Sequence, residues 1–273
     1  MDKEQEDKQG LISIIIPAYK QEKTIEKDLL RIKGVMDQMR YDYEIIVVID
    51  GYVDKTLANA KKAKFNNVIV TGYMHNHGKG HAIRFGIARA KGNVIAFIDS
   101  GMDINPNGLS ILLEHFEWHN ADIVVGSKLH PLSKVHYPLQ RKILSWGYRI
   151  FVRILFGLSI KDTQVGIKFY RRKVLEDVLP RLLVKTYAFD IEILAVAHHL
   201  GYKRIYEAPV ELDFKEKSSI APIASADFWK MIFRMLWDTL AVFYRLSILR
   251  YYDNGNKRKW KLDQELNFRI NIG

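Results

Sequence analysis

"NVIAFIDSGMDINP", from Asn93 to Pro106, joins a strand signal to a cluster of carboxylates. Its first six residues are mostly apolar without alternation, which is typical of a strand buried on both faces. Asp99 and Asp103 follow directly, and apolar residues then recur at helical spacing as far as His119. The stretch therefore predicts a buried strand, an acidic turn and a helix in succession.

The same succession extends along much of the chain. Short runs rich in Ile and Val predict strands at Leu11–Pro17, Glu44–Ile49, Asn67–Thr71, Asn93–Ile98 and Asp122–Val125. Amphipathic segments predict helices at Thr24–Met39, Asp54–Lys64, Gly80–Ala90 and Pro106–His119. Such alternation predicts an α/β fold with a mostly parallel sheet and helices on both faces. Ligands of these sheets bind where the strands end.

Composition narrows the class of protein. The chain has 273 residues, 48% of them hydrophobic, and only 7 prolines, so it can bury a core without low-complexity spacers. The net charge of +11 indicates an anionic partner, which could be nucleic acid, an anionic membrane surface or a phosphorylated substrate. Since the chain has no cysteine, disulfides, thiolate nucleophiles and Cys-based zinc sites are excluded.

Neither a leader peptide nor a membrane span is predicted. The first ten residues, MDKEQEDKQG, are polar and lack the apolar core of a secretory signal. The most apolar long stretch, Ile232 to Leu249, is interrupted by Arg234, Asp238 and Arg245. Three charges across that length argue against a transmembrane helix. We therefore expect a soluble or peripherally attached protein.

Seven motifs follow the predicted elements in a fixed order. They read PAYKQEKTI (17–25), IDGYVDKT (49–56), NHGKGHAIRFGIARAKGN (76–93), FIDSGMDINP (97–106), VVGSK (124–128), DTQVGIKFYRR (162–172) and AFDIEILA (188–195). The ordered set resembles the family 2 glycosyltransferases of GT-A fold, most closely the enzymes that make polyprenyl- or dolichyl-phosphate sugars. DTQVGIKFYRR looks more like the glucosyltransferase members. The resemblance implies inverting transfer of a hexose, most simply glucose from UDP-glucose, to a polyprenyl phosphate.

The resemblance also implies a set of donor-binding residues: Pro17, Ala18, Tyr19, Asp50, Lys79, Ser100 and Gln164. Tyr19 offers an aromatic face for a nucleoside, although a role in capping the core is open. Asp50 can accept a base N–H, and it acts alone because Ile49 replaces the first aspartate of the family's usual pair. Lys20 and Gln21 stand where the family usually has Asn-Glu.

The glycine-rich motif can also be interpreted from the chemistry of its own residues. Gly78 and Gly80 allow close backbone approach, and Lys79 lies between them at a predicted helix start, which suits a diphosphate. The motif lacks the third glycine of a dinucleotide fingerprint, so a dehydrogenase is disfavoured. Arg84, one helical turn further on, is a weaker candidate for the same contact.

The acidic turn departs from the family pattern. The family usually has Asp-x-Asp here, which binds a divalent cation, and Gly101 replaces the second aspartate. The resemblance implies Mg²⁺ or Mn²⁺ held by Asp99, with Asp103 substituting for the missing ligand. The alternative is that Asp103 caps the helix near Pro106.

Asp99, Lys128 and Asp190 are the catalytic candidates that the resemblance implies. Lys128 keeps the charge of the family's arginine without its bidentate fork. Asp190 faces the sugar in this interpretation, whereas Asp190 and Glu192 could instead simply favour the start of a helix. Three further side chains are assigned no function: Asp54 is interpreted as a helix cap, and His130 and His136 as surface residues.

Two amphipathic helices indicate a membrane surface. On a helical wheel, Trp229, Phe233 and Leu240 share a face opposite Lys230 and Arg234. Their segment and Ile143–Phe156 both combine an apolar arc with arginines, as interfacial helices do, although packing against the domain is the alternative.

The sequence is thus divided into a disordered segment (1–10), a catalytic domain (11–215), a membrane-associating helical region (216–252) and a basic tail (253–273). The tail includes Lys257-Arg258-Lys259-Trp260-Lys261, which anionic lipids would attract. We expect peripheral attachment on the cytoplasmic side of a membrane and no nucleic-acid partner. Two other functions stay open: a GT-A glycosyltransferase with a soluble or glycan acceptor, and a non-catalytic nucleotide-binding relative.

Overall fold

The structure, a computed structural model, describes residues 10–271 apart from 102, 136–138, 186–187, 213–224, 256–259 and 267. Of residues 139–143 it describes only the backbone. His136 and the basic residues Lys257, Arg258 and Lys259 therefore lie outside the described residues.

One seven-stranded sheet forms the centre. Its strands are β1 (Ile12–Ala18), β2 (Tyr43–Asp50), β3 (Val68–Tyr73), β4 (Val94–Ile98), β5 (Ile123–Ser127), β7 (Ile167–Arg171) and β8 (Ile205–Pro209). The order across the sheet is β3-β2-β1-β4-β7-β5-β8. Neighbours pair in parallel except β7, which is antiparallel to both β4 and β5. The predicted mostly parallel sheet is confirmed.

Eight helices are described: α1 (Ile25–Met36), α2 (Thr56–Lys62), α3 (Lys79–Ile87), α4 (Gly108–Trp118), α5 (Leu139–Phe156), α6 (Arg172–Val178), α7 (Phe189–His199) and α8 (Ala226–Phe243). Because successive strand residues point to opposite faces, the sheet feeds two separate cores. Ile14 packs with α1 and α4, while Ile15 packs with α3, α6 and α7. Helices therefore cover both faces, as predicted.

The direction of β7 shapes one edge of the sheet. The parallel strands β1, β2, β4 and β5 all end at this edge, and β7 begins there because it runs the opposite way. The backbone N–H of Asp99, just past β4, donates to the carbonyl of Gly166, just before β7, at 2.8 Å. Residues distant in sequence therefore meet where ligands of such sheets bind.

The C-terminal region continues this fold. After α8, a π-helical turn spans Tyr244–Ile248, and a hairpin follows from β10 (Trp260–Asp263) and β11 (Phe268–Asn271). Tyr252 and Leu266 are buried in the core beside α3, α6 and α7. The described part of the predicted basic tail is thus a packed hairpin, because its apolar residues find partners on the domain. Among the described helices, none is long and apolar enough to cross a membrane.

Candidate active site

Four charged side chains form a cluster at the edge where the strands end. The Lys79 ammonium lies 2.8 Å from Asp99 Oδ1 and 3.4 Å from Asp190 Oδ2. Lys168 Nζ lies 2.5 Å from Asp190 Oδ1. The Lys168 and Asp190 side chains are buried, whereas the Asp99 side chain is 39% exposed. The cluster therefore leads from the core to solvent and presents Asp99 and Lys79 at the surface.

Burial and neighbouring charges shift the pKa values of three of these four side chains. Burial on its own would raise the pKa of Asp190, but Lys168 and Lys79 outweigh it and hold that pKa below its ordinary value. Burial lowers the pKa of Lys168, with Asp190 opposing the shift. For Lys79 the two carboxylates outweigh burial, and its pKa is raised. Lys79 is thus a permanent cation beside a solvent-facing carboxylate, which suits a site for an anionic ligand.

Asp50 organises the glycine-rich loop behind Lys79. Its buried carboxylate accepts hydrogen bonds from Asn76 Nδ2 at 2.9 Å and from the backbone N–H groups of His77 at 2.7 Å and Gly78 at 3.0 Å. Gly78 has a φ of +95°, and a Cβ there would lie 2.6 Å from the carbonyl oxygen of Lys185. Asp50 therefore shapes the loop that starts α3; its predicted contact with a nucleotide base stays a prediction.

The acidic turn after β4 is tied to its neighbours. Ser100 Oγ donates to the Pro17 carbonyl at 2.8 Å, and the Gly101 N–H donates to Asp28 Oδ2 at 2.9 Å. Gly101 has a φ of +112°, a conformation that glycine adopts easily and residues with a side chain do not. The glycine that replaces the usual aspartate is therefore built into the conformation of this turn.

Asp103 lies further along the same turn and is exposed. The next residue, Ile104, pairs with Leu212 in β9 (Glu211–Leu212), a short strand that also pairs with β6 (Lys134–Val135). Helix α4 begins at Gly108, directly after Asn107. The alternative that Asp103 caps this helix is therefore wrong.

The fit of a divalent cation can be judged from the side chains present. Within the described ranges, no group of three or more His, Asp or Glu side chains is arranged to hold a metal ion. Asp99 and Asp103 nevertheless offer accessible carboxylates on one turn. Mg²⁺ is commonly held by one or two carboxylates together with substrate phosphates. The donor set fits a cation of that kind.

The end of β1 lies next to the acidic turn, since Ser100 donates to the Pro17 carbonyl. Pro17 and Ala18 complete the strand, and Tyr19 follows with 40% of its surface exposed. A depression of about 450 Å³ lies beside it, lined by Lys20, Gln21, Glu22, Lys23, Thr24 and Asp54. Asp54 Oδ1 accepts the N–H of Thr56, the first residue of α2, although Lys55 rather than Asp54 occupies the N-cap position.

Lys128 and Gln164 meet at Asp162. Asp162 Oδ2 accepts the backbone N–H of Lys128 at 3.1 Å and lies 3.7 Å from its ammonium, while Asp162 Oδ1 accepts the backbone N–H of Gln164 at 3.2 Å. The buried Gln164 Nε2 has no hydrogen-bond partner among the residues that the structure describes. Leaving a buried amide nitrogen without a hydrogen-bond partner is costly.

The structure thus brings seven of the eleven predicted site residues into three groups. Asp99, Lys79 and Asp190 share the charged cluster, Ser100 joins Pro17, and Lys128 and Gln164 share Asp162. His130 lies apart, where its Nδ1 accepts the N–H of Leu132.

Sequence reasoning missed Lys168 and Gly166. A Cβ at Gly166 would lie 2.0 Å from Asp99 Oδ2, so only glycine leaves room for this carboxylate. The available signal was a lysine inside the apolar strand IKFYR. A charged side chain is rarely buried without a partner, so Lys168 had to have one. Its partner, Asp190, is 22 residues away in sequence.

The chain is similar in sequence to known proteins. The family model described as glycosyl transferase family 2 matches residues 13–179. A dolichyl-phosphate beta-glucosyltransferase of Trichomonas vaginalis is 32% identical, over 88% of this chain and 76% of the relative. The proteins of that name from Dictyostelium discoideum and Homo sapiens are 29% and 30% identical, over 79% and 93% of this chain and 70% and 78% of their own lengths.

Solved structures share the fold. Glucosyl-3-phosphoglycerate synthase from Mycobacterium tuberculosis, crystallised with Mn²⁺, UDP and phosphoglyceric acid, superposes with a TM-score of 0.64 at 19% identity, covering 86% of this chain and 78% of its own. Mannosyl-3-phosphoglycerate synthase from Rubrobacter xylanophilus gives 0.66 at 15% identity, covering 87% and 74%.

Proposed function

The chain belongs to glycosyl transferase family 2, and we propose that it transfers glucose from UDP-glucose to a polyprenyl phosphate such as dolichyl phosphate, with inversion at C1. The names of the relatives support this donor and acceptor. The structural observation that carries the proposal is the Lys79–Asp99 pair at the solvent-facing end of β4. A fixed cation beside an accessible carboxylate suits a nucleotide diphosphate that leaves with negative charge.

In the proposed reaction, a phosphate oxygen of the lipid attacks C1 of glucose. The new C1–O bond forms as the C1–O bond to the diphosphate breaks, and UDP leaves with the bonding electrons. A lipid monophosphate is already anionic near neutral pH, so no general base is needed. Lys79 stabilises the departing diphosphate, Asp190 holds Lys79, and Lys128 aligns the acceptor phosphate behind C1.

The remaining predicted residues bind the donor in this proposal. Pro17, Ala18 and Tyr19 contact the nucleoside, and Gln164 Nε2 donates to the sugar or the acceptor phosphate. Asp99 and Asp103 would hold Mg²⁺ or Mn²⁺, which supplies positive charge to the diphosphate when bound.

We also propose that the protein attaches peripherally to the cytoplasmic face of an anionic membrane. Helix α8 buries one stripe against the domain, with Phe228, Thr239 and Val242 facing inward. Much of its apolar surface is left exposed: Phe233 is 69% and Trp237 73% exposed. The neighbouring α5 exposes further apolar side chains, Trp146 and Ile154. We call the exposed apolar residues of α5 and α8 the apolar surface; its aromatic content and arginines suit a lipid interface.

Transfer from a panel of labelled nucleotide sugars to short polyprenyl phosphates tests the reaction. We expect UDP-glucose to be used and the product to be a lipid-linked glucosyl phosphate. Use of GDP-mannose alone would refute the proposed donor. Equal transfer to a water-soluble alcohol, with none to the lipid phosphate, would refute the acceptor.

A further inference from the structure

Glu192 is a fully buried carboxylate outside the charged cluster, on the first turn of α7. Favourable interaction with the helix dipole does not account for its contacts. Its Oε2 accepts the backbone N–H of Val184 at 2.9 Å, and its Oε1 accepts that of Leu183 at 3.1 Å. Burial raises the pKa of the Glu192 carboxyl, with these hydrogen bonds opposing the shift. The side chain thus fixes the segment 182–185, which precedes α7.

This segment forms one wall of the glycine-rich loop. The Lys185 carbonyl accepts the N–H of Gly80 at 3.1 Å. A Cβ on Gly78 would lie 2.6 Å from that same carbonyl oxygen, and a Cβ on Gly80 would lie 2.8 Å from the Phe189 ring and 3.0 Å from the Val184 carbonyl oxygen. The loop and its wall are therefore in close contact on both sides of Lys79. A shift of the segment would move the Lys79 backbone.

Residues after α8 contact Glu192 from the other side. Tyr252 OH donates to Glu192 Oε1 at 2.7 Å, and Arg245 NH1 lies 3.6 Å from the same oxygen. The Tyr252 carbonyl in turn accepts Arg181 Nε at 2.8 Å. Both tyrosine and glutamate are fully buried. The C-terminal region is therefore connected to the glycine-rich loop by a short series of buried hydrogen bonds.

We propose that Glu192 is a positioning residue for the donor: it holds segment 182–185 against the glycine-rich loop and so sets Lys79 at the diphosphate. Tyr252 and Arg245 hold Glu192, which makes the chain after α8 part of the support of the donor site. The inference rests on the proposed function only in taking a nucleoside diphosphate as the group that Lys79 meets.

UDP binding to the full chain in Mn²⁺ buffer, measured by calorimetry, tests the proposal. Glu192→Gln keeps the shape and one acceptor, so we expect UDP affinity to fall about threefold; Glu192→Leu removes both acceptors, and we expect about tenfold. The double variant Glu192→Leu with Lys79→Met should bind UDP no more weakly than Lys79→Met, within about twofold, because Glu192 acts through Lys79. Glu176→Gln, on an exposed carboxylate of α6, is the control and should bind normally.

If Glu192 has only a structural role, Glu192→Leu should lower the melting temperature and leave UDP affinity unchanged. Alternatively, the losses of UDP affinity would be additive in the double variant. Either result overturns the proposal. If Glu192→Leu fails to fold, UDP binding is measured for Glu192→Gln and Tyr252→Phe instead. Normal UDP affinity in both variants would refute the positioning role of Glu192. Normal UDP binding without transfer to polyprenyl phosphate would refute the proposed acceptor and leave the role of Glu192 intact. No UDP binding by the unaltered chain would refute both.

Discussion

Lys168 and Asp190 form the most buried ion pair of the site, with side chains that are only 1% and 6% exposed. A pair of this kind adds little net stability, because desolvating two charges offsets their attraction. Removing one partner is different, since the other charge is left buried without compensation. Asp190 keeps Lys79 as its second cation, at 3.4 Å. The effect of losing Lys168 is therefore partly relieved by Lys79.

Lys168→Met should lower the free energy of unfolding by about 3 kcal/mol, at the lower end of the range for a broken buried pair. Urea denaturation at neutral pH measures it. The double variant Lys168→Met with Asp190→Asn should recover part of the loss, because no unpaired charge remains. Equal stability of Lys168→Met and the unaltered chain would contradict the buried pair.

Asp99 and Asp103 permit a separate prediction on metal binding. We expect Asp99→Asn to abolish both transfer and Mn²⁺ affinity, and Asp103→Asn to weaken Mn²⁺ affinity by about tenfold through loss of one carboxylate. Calorimetry with Mn²⁺ and an assay in EDTA check this. Full activity and metal affinity in Asp103→Asn would exclude it as a ligand, and full activity in EDTA would remove the metal from the reaction.

Gly101→Asp, which recreates the family motif, is a poor test of the same question. The φ of +112° at this position is unfavourable for aspartate, although an added Cβ would make only ordinary van der Waals contacts with the Gln21 side chain. Loss of activity in that variant would report a distorted turn as readily as a changed ligand set.

Among the secondary-structure elements, β7 is decisive for the site because it runs against its two neighbours. Its first residues meet the end of β4, and Gly166 lies against the Asp99 carboxylate. A parallel β7 would carry this glycine, and Asp162 with it, to the opposite edge of the sheet. The antiparallel strand thus supplies part of the site from a segment more than 60 residues after β4.

Gly166→Ala should reduce transfer by about 100-fold while the protein stays folded, since a displacement of about 1 Å at a catalytic group can have that effect. The added Cβ would lie 2.0 Å from Asp99 Oδ2, which must move. Steady-state kinetics and circular dichroism measure both properties. In α1, Gly34→Ala is the matched control: it meets no atom within 4 Å, and we expect unchanged transfer and a gain of about 0.5–1 kcal/mol in stability. Normal transfer by Gly166→Ala would show that Asp99 is not required at this position.

At the scale of the whole molecule, charge and apolar area act together. The net charge of +11 favours anionic lipids, and the apolar surface of α5 and α8 adds burial that salt does not screen. Attachment should therefore weaken with rising salt without disappearing.

Liposome flotation with anionic vesicles tests this attachment. The chain should float at low salt and in part at high salt, and the double variant Phe233→Gln with Trp237→Gln should float much less at both. Trp118→Gln is the control, because Trp118 is 87% exposed at the end of α4, outside the apolar surface. Failure of the unaltered chain to float at low salt, or equal loss in the control, would contradict the assignment of this surface.

The sequence alone was sufficient for the parallel strands β1 to β5, though not for the parallel strand β8, and for three of the four side chains of the charged cluster. β1 to β5 and α1 to α4 lie within a few residues of their predicted bounds, because unbroken Ile and Val runs and helical spacing are local signals. Asp99 and Lys79 were found for the same reason: each follows directly on a strand or on a glycine-rich turn.

Contacts between distant segments could not be predicted in this way. Lys168 and Gly166 became part of the site through the antiparallel pairing of β7, and Glu192 reached the glycine-rich loop through the packing of segment 182–185. The C-terminal hairpin packs on the domain where composition indicated a basic tail. Hydrophobic periodicity reports which residues are buried, whereas the partner that each buried charge meets depends on strand order and packing, which the local pattern does not encode.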